Sequence, residues 1–135
     1  MYLYDDYSLR QAMEKMEYHK YSAVPIINRA GNYVGTLTEG DILWELKDRK
    51  LSNLHEAEEI MLRHTNRKRD NEPVNVNCNI EDLVMTSMNQ NFVPVIDDNG
   101  IFIGIVTRKS IIEYCYKRYK AVSSAQAGVE KVTEL

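Results

Sequence analysis

Short apolar runs separated by turn residues dominate two stretches of the chain, and both stretches show the same pattern. Val24–Leu43 reads VPIINRAGNYVGTLTEGDIL, and Val93–Ile112 reads VPVIDDNGIFIGIVTRKSII. At this offset of 69 residues, seven of twenty positions are identical, and most of the remaining apolar positions stay apolar. A self-match in which the residues keep this order indicates a duplicated supersecondary unit.

Each copy predicts a β-hairpin followed by a helix. VPIIN and VPVID are β-branched runs, RAGN and DDNG are turns in which glycine tolerates positive φ, and YVGTLT and FIGIVT are the returning strands. Thr38 and Thr107 are placed to cap the helices that follow. The proline in each first strand indicates a position whose amide is not needed for strand pairing.

A short strand and a helix precede each hairpin. SLRQAMEKMEYH has Ser8 and Gln11 at capping-box spacing, and NIEDLVMTSMNQ begins with Asn79 as its cap. YLY and VNV predict short strands before these helices, and LHEAEEIMLRH, between the copies, predicts a linker helix. The repeated unit is therefore β-α-β-β-α. Because one such unit leaves much apolar surface exposed, we expect the two sheets to pack face to face.

These elements predict an α/β (α+β) fold of two β-α-β-β-α repeats, packed sheet to sheet in pseudo-twofold symmetry. We expect a first repeat over residues 1–50, a linker helix and basic loop over 51–70, and a second repeat over 71–120. Residues 121–135 form a C-terminal tail, interpreted as a fraying helix, a dimer contact or a disordered segment.

Composition and charge narrow the possible functions. With 44% hydrophobic and 27% charged residues the chain is globular, and its apolar runs are too short to span a bilayer. The first residues lack a secretory signal, so we expect a cytoplasmic protein without membrane partners. The net charge of −3 argues against nucleic-acid binding, whereas basic clusters at Arg63–Arg69, Thr107–Lys109 and Tyr116–Lys120 favour a small anion.

Motifs for catalysis or metal binding are missing from the sequence. The three histidines show no ligand spacing with one another or with Cys78 and Cys115, and the chain has no P-loop, dinucleotide fingerprint or nucleophile elbow. We therefore expect a protein that is not an enzyme and that uses no metal and no cofactor.

The repeated pattern resembles a pair of cystathionine-β-synthase (CBS) domains, also called a Bateman module. The resemblance covers roughly residues 1–118 and is carried by an amphipathic helix, the run SAVPIIN and the corner GTLTEGD, all of them followed by a second copy. It implies a stand-alone bacterial regulatory module that binds an adenine nucleotide in the clefts between the sheets. It also implies a homodimer whose output passes through another protein.

The resemblance assigns the nucleoside to the first strand-to-helix corner. Ser22 and Ala23 would lie against adenine, and Thr38 and Asp41 would contact phosphate and ribose. The chemistry is also reasonable in itself, because one carboxylate can accept from both ribose hydroxyls and a helix N-terminus suits phosphate. The alternative is that Thr38 and Asp41 are only a helix cap. The candidate residues here are Ser22, Ala23, Val24, Thr38, Glu39 and Asp41.

The second corner, GIVTRKS, carries different chemistry. Ser110 replaces the acid of Asp41, and Arg108 replaces Glu39. Phe92 could occupy the adenine position, offer a stacking face or be an ordinary core residue. We interpret the difference as a division of labour in which the first corner recognises the nucleoside and the second supplies positive charge. The alternative is a degenerate second site. The candidate residues are Arg67, Arg69, Asn91, Phe92, Thr107, Arg108 and Ser110.

Three functions from different classes remain. The first is a sensor of AMP, ADP, ATP or S-adenosylmethionine, and the second is a receptor for cyclic di-AMP that would depend on Arg108 and the basic loop. The third is a ligand-free dimerisation or interaction module. Apolar helical faces around Leu43–Leu46 and Ile111–Tyr119 would permit a homodimer in each case.

Overall fold

A computed structural model of the protein describes residues 1–67 and 70–125. The first repeat contains β1 (Leu3–Tyr4), α1 (Leu9–His19), β2 (Ala23–Ile27), β3 (Tyr33–Thr38) and α2 (Glu39–Asp48). A linker with the short helix α3 (Leu54–Ala57) and a 3₁₀ turn (Leu62–His64) follows. The second repeat contains β4 (Val74–Asn75), α4 (Ile80–Ser87), β5 (Phe92–Ile96), β6 (Phe102–Thr107) and α5 (Arg108–Ala125).

Each repeat builds one three-stranded sheet, in the orders β1-β2-β3 and β4-β5-β6. The outer short strand is parallel to the central strand, and the hairpin strands are antiparallel. Pairing of β1 with β2 begins at Ile26, one residue after Pro25, so the missing amide of the proline costs no bond on that side. The predicted α/β fold of two β-α-β-β-α repeats is confirmed.

The two hairpin tips bind each other through a reciprocal pair of backbone hydrogen bonds. Tyr33 N donates to Gly100 O at 3.3 Å, and Phe102 N donates to Gly31 O at 2.8 Å. Tyr33 and Phe102 occupy equivalent positions at the repeat offset of 69, as do Gly31 and Gly100, so the two bonds are related by the pseudo-twofold axis between the repeats. Gly31 and Gly100 have φ values of 92° and 80°, which explains why both predicted turns carry glycine there.

The helix caps predicted from the sequence are present. Ser8 and Gln11 form a capping box at the start of α1, and the side chain of Asn79 caps α4 by accepting from Asp82 N. These bonds satisfy amides that have no partner inside the helix. The longest described helix is α5, and its side chains from Ile112 to Ser123 are exposed. The helix therefore continues past residue 120, into the segment expected to be a tail.

The main hydrophobic core lies in the first repeat and extends onto the linker. Leu3, Leu9, Ile26 and Leu37 are fully buried there. Ala57, Ile60 and Leu62 of the linker complete the same cluster. The second repeat buries Phe92, Val93 and Ile111 but exposes many large apolar side chains on its helices.

The predicted continuous linker helix is wrong. Only Leu54–Ala57 is α-helical, because the chain then runs beside the start of α1. Leu9 N donates to Ile60 O at 2.7 Å, and Leu62 N donates to Tyr7 O at 2.9 Å. Because these bonds form and Ile60 and Leu62 are buried, the chain leaves the helical conformation after Ala57.

The end of the linker crosses from the first repeat to the second, and we call Arg67, Asp70 and Asn71 the linker clasp. Asp70 Oδ1 accepts from Arg67 Nε and from Thr36 N, both at 2.8 Å. Asn71 O accepts from the Tyr33 hydroxyl at 2.7 Å, and Asn71 Nδ2 donates to Phe92 O at 3.0 Å. The clasp therefore connects β3 of one repeat to β5 of the other.

Among the helices that the structure describes, none is long and apolar enough to cross a membrane.

Replacing Gly35 by alanine tests the clasp. A Cβ at this position would lie 2.6 Å from both Arg67 Nη2 and Asp70 Oδ1, so the ion pair must move away. We expect Gly35→Ala to lower the free energy of unfolding by about 1–2 kcal/mol, because a hydrogen bond to a charged group contributes about 1.5–3 kcal/mol and partial exposure of this pair lowers that value. Urea denaturation measures the change.

Gly104→Ala is the matched control, because Gly104 is the equivalent of Gly35 and a Cβ added there would have nothing within 4 Å. This variant should keep or slightly raise the stability. Equal losses in the two variants would show that the strand, and not the clasp, is the cause.

Burial of Tyr33 predicts a loss of stability at high pH. Desolvation raises the pKa of its hydroxyl from 10.0 to about 12. The folded state therefore holds this proton more tightly than the unfolded state, so the stabilisation is complete below pH 10 and is lost as the pH rises through 12. Denaturation from about pH 9 to about pH 12 should show a shallower decline for Tyr33→Phe than for the unmodified protein. Identical slopes would contradict the prediction.

Candidate functional site

The first corner joins β3 to α2 and is held by a reciprocal cap. Thr38 Oγ1 accepts from Asp41 N at 3.1 Å, and Asp41 Oδ2 accepts from Thr38 N at 3.0 Å. The Asp41 residue is only 4% exposed. The capping role predicted for this pair is confirmed, and a ribose contact by Asp41 stays a prediction.

The start of β2 lies directly beside this corner. Ala23 pairs with Thr38 across the sheet, and Ser22 O accepts from Glu39 N at 3.0 Å. Val24 is buried in the core. The structure thus brings together the six residues that the sequence grouped at the first corner.

Ser22 and Glu39 also line a groove on the helical side of the first repeat. This groove has a volume of about 530 Å³, and its other walls are formed by α1 and α2 through Met13, Met16 and Ile42. These two residues therefore border the groove between the helices, whereas Thr38 and Asp41 form the cap itself.

The second corner repeats the same backbone geometry with a neutral side chain. Thr107 Oγ1 accepts from Ser110 N at 3.1 Å and donates to Ser110 Oγ at 2.9 Å. Asn91 O accepts from Arg108 N at 3.0 Å, in the same way as Ser22 O accepts from Glu39 N. Serine therefore stands where the first corner has a carboxylate, as the sequence indicated.

Arg108 supports the end of α4. Its Nε donates to Ser87 O at 3.1 Å and its Nη2 to Gln90 O at 3.0 Å. Carbonyl groups at a helix C-terminus have no partner within the helix, and a cation suits this end of the helix dipole. Arg108 also lines a groove of about 620 Å³ between α4 and α5. Its predicted phosphate contact stays a prediction.

Phe92 is 5% exposed and belongs to the packed interior of the second repeat. The sequence left three roles open for this side chain: filling the adenine position, offering a stacking face, or packing in the core. The structure shows it packed in the core. Its carbonyl oxygen accepts from Asn71 Nδ2 at 3.0 Å and from Gln90 Nε2 at 3.1 Å.

Of the two basic-loop candidates, Arg67 is held inside the linker clasp. Its side chain is 14% exposed, it forms an ion pair with Asp70 at 2.8 Å, and its Nη1 donates to Leu62 O at 3.3 Å. Arg69 lies outside the described residues.

Sequence reasoning missed the residues that connect the two repeats near the first corner. Asp70 and Asn71 sit in a polar loop without a motif, and Tyr33 and Thr36 look like ordinary strand residues. The available signal was Gly35, because a glycine inside a strand often marks the close approach of another part of the chain.

The described residues contain no group of three or more histidine, cysteine, aspartate or glutamate side chains that could hold a metal ion. The first corner offers a helix N-terminus and, in the first turn of the same helix, the carboxylate of Asp41. Amides at a helix start favour anions, and a carboxylate accepts hydrogen bonds from hydroxyl groups.

Solved structures with the same fold include a protein crystallised with a nucleotide. A CBS domain protein from Streptococcus pneumoniae TIGR4 is 25% identical, with a TM-score of 0.77 over 88% of this chain and 80% of its own. CbpB, crystallised in complex with cyclic di-AMP, is also 25% identical, with a TM-score of 0.81 over 93% of this chain and 82% of its own.

Curated relatives are longer proteins. L-aspartate semialdehyde sulfurtransferase of Methanocaldococcus jannaschii is 32% identical over 104 residues, which are 77% of this chain and 19% of the relative. The chain therefore spans about a fifth of the length of that enzyme.

The family model for the CBS domain matches two segments, residues 1–48 and 52–117. The first matched segment covers the first repeat, the second covers the linker and the second repeat up to residue 117, and together they contain both corners. The chain belongs to the CBS domain family, as a pair of CBS repeats.

Proposed function

We propose that this CBS pair is a regulatory module that binds an adenine nucleotide between its two repeats and passes the signal to a separate protein. The observation that carries the proposal is the first corner, where the start of α2 and the carboxylate of Asp41 lie together. The proposal includes no catalytic step, and we expect the protein to act in the cytoplasm.

The chemistry of the corner suits a nucleoside phosphate. The N-terminus of α2 provides partial positive charge for a phosphate, and Thr38 adds a hydroxyl at the same place. Asp41 would accept from the ribose hydroxyls after giving up its bond to Thr38 N. Ser22 and Ala23, which lie beside the corner, would contact the adenine ring.

Cyclic di-AMP is the second candidate ligand, and the similarity to CbpB in complex with this nucleotide favours it. The molecule also contains adenine and phosphate groups, so the first corner would hold one of its halves. The positive charge at the second corner, from Arg108 and Lys109, would suit its additional phosphate.

We also propose that the module is a homodimer. Leu43 and Ile112 occupy equivalent positions on α2 and α5, and each is 60% exposed. Tyr116 and Tyr119 continue the apolar surface of α5 at 58% and 59% exposure. Exposed apolar surface of this extent is typical of an interface.

Isothermal titration with AMP, ADP, ATP, S-adenosylmethionine and cyclic di-AMP tests the function. We expect saturable binding of at least one of them, and much weaker binding of its guanine counterpart, GMP or cyclic di-GMP. Asp41→Asn should weaken the affinity about tenfold or more, because a hydrogen bond to a charged group is lost while the amide can still cap the helix.

Asp48→Asn is the matched control for this substitution, since it removes a carboxylate from the other end of α2. It should leave the affinity unchanged. If none of the five nucleotides binds, the proposed ligand class is wrong, and the module acts through protein contacts alone.

Sedimentation velocity tests the homodimer. The unmodified protein should sediment as a dimer, and Ile112→Glu should shift it towards monomer because a charge would be buried in the interface. Tyr18→Glu, at a side chain that is 83% exposed, is the control and should not alter the dimer. A monomeric unmodified protein would contradict the proposal.

A further inference from the structure

The linker clasp lies beside the first corner and ties down the strand that leads into it. Asp70 Oδ1 holds Thr36 N, two residues before Thr38. Arg67 Nη2 lies 3.5 Å from Val34 O in the same strand. The clasp therefore bonds to the edge of β3 just before the first corner.

The preceding part of the linker is tied to α2, the helix that begins at this corner. Asn66 N donates to Glu45 Oε1 at 2.8 Å, and Arg49 Nη2 donates to His64 O at 2.8 Å. Glu45 is only 3% exposed, so this attachment is made to a buried group. The linker thus follows α2 and then β3, past both elements that build the corner.

The corner is closed in this conformation. Asp41, which would accept from the ribose, is 4% exposed, and Thr36 is fully buried. A ribose cannot reach a carboxylate that has so little accessible surface. Contact between a ribose and Asp41 therefore requires part of the chain around the corner to move.

The attachment can be released at moderate cost. The side chain of Asp70 is 39% exposed, so its ion pair with Arg67 is partly solvated. Arg67 is 14% exposed, so the pair contributes more than a surface ion pair but less than a fully buried one. Once released from Asp70, the guanidinium of Arg67 would be available for a phosphate, for which it offers a bidentate set of donors.

We infer that the attached linker clasp and a nucleotide at the first corner exclude each other. The clasp is then an internal competitor of the nucleotide, and release of the clasp signals that the first corner is occupied. This inference rests on the proposed function and adds the regulation of the same site. Because Asn71 also holds Phe92, release of the clasp would loosen a connection between the repeats and change the surface offered to a partner.

Titration of clasp variants with AMP, ADP, ATP, S-adenosylmethionine and cyclic di-AMP tests the inference. Asp70→Ala removes the acceptor that holds Arg67 and Thr36, and Gly35→Ala displaces the same ion pair by steric contact. Both should bind nucleotide about fivefold tighter than the unmodified protein, since the apparent affinity rises with the fraction of open molecules. The gain should disappear when Asp41→Asn is added to Asp70→Ala.

Two matched controls accompany these variants. Asp6→Ala breaks the ion pair with Arg29, which has the same 2.8 Å length and lies outside the clasp, and Gly104→Ala alters the equivalent glycine of the second repeat. Neither should change the affinity. Circular dichroism establishes that each variant is folded before titration.

The outcomes separate the inference from the proposed function. Tighter binding in both clasp variants than in the unmodified protein supports the inference. Unchanged or weaker binding in Asp70→Ala and Gly35→Ala, beside a nucleotide-binding unmodified protein, overturns the inference and leaves the function standing. Failure of the unmodified protein and of every variant to bind any of the five nucleotides overturns both.

Discussion

Two backbone hydrogen bonds at the hairpin tips join the two repeats. Tyr33 bonds to Gly100, and Phe102 bonds to Gly31, in a pair related by the pseudo-twofold axis. Both bonds need a turn with positive φ at its tip, which glycine adopts without strain. Since the tips are joined, β3 and β6 run from a common point, and their ends become the two corners. These four residues therefore connect the two repeats in an equivalent way on each side.

Symmetry in the backbone does not extend to the side chains. Threonine caps the helix at both corners, and the residue three positions later is an aspartate at the first corner and a serine at the second, while the backbone bonds around them are the same. Either an aspartate or a serine is compatible with a stable helix start, because the threonine at each corner accepts a hydrogen bond from an amide there. The duplicated scaffold therefore needs only that threonine. The residue three positions later can differ, which allows the two corners to acquire different chemistry without loss of the fold.

The linker joins the packing of the first repeat to the candidate site. Ala57, Ile60 and Leu62 anchor it in the main core, and the clasp then attaches it to β3 and β5. A segment with a buried anchor and a partly solvated end can release the end while the anchor stays in place. The structure therefore combines a rigid core with an attachment of lower stability beside the candidate nucleotide site.

Sequence alone determined the duplication, the hairpins, the caps and the family resemblance, because each depends on residues a few positions apart or on one repeated order. Ser8 with Gln11 and Thr38 with Asp41 are contacts over three positions. Only the tertiary structure decided the course of the linker, the core position of Phe92, the attachment of Arg108 to the end of α4 and the bond from Thr36 to Asp70. That last bond joins residues 34 positions apart, and its partners carry no local pattern. Such contacts depend on how the whole chain packs, so they are visible only after the repeats and the linker have come together.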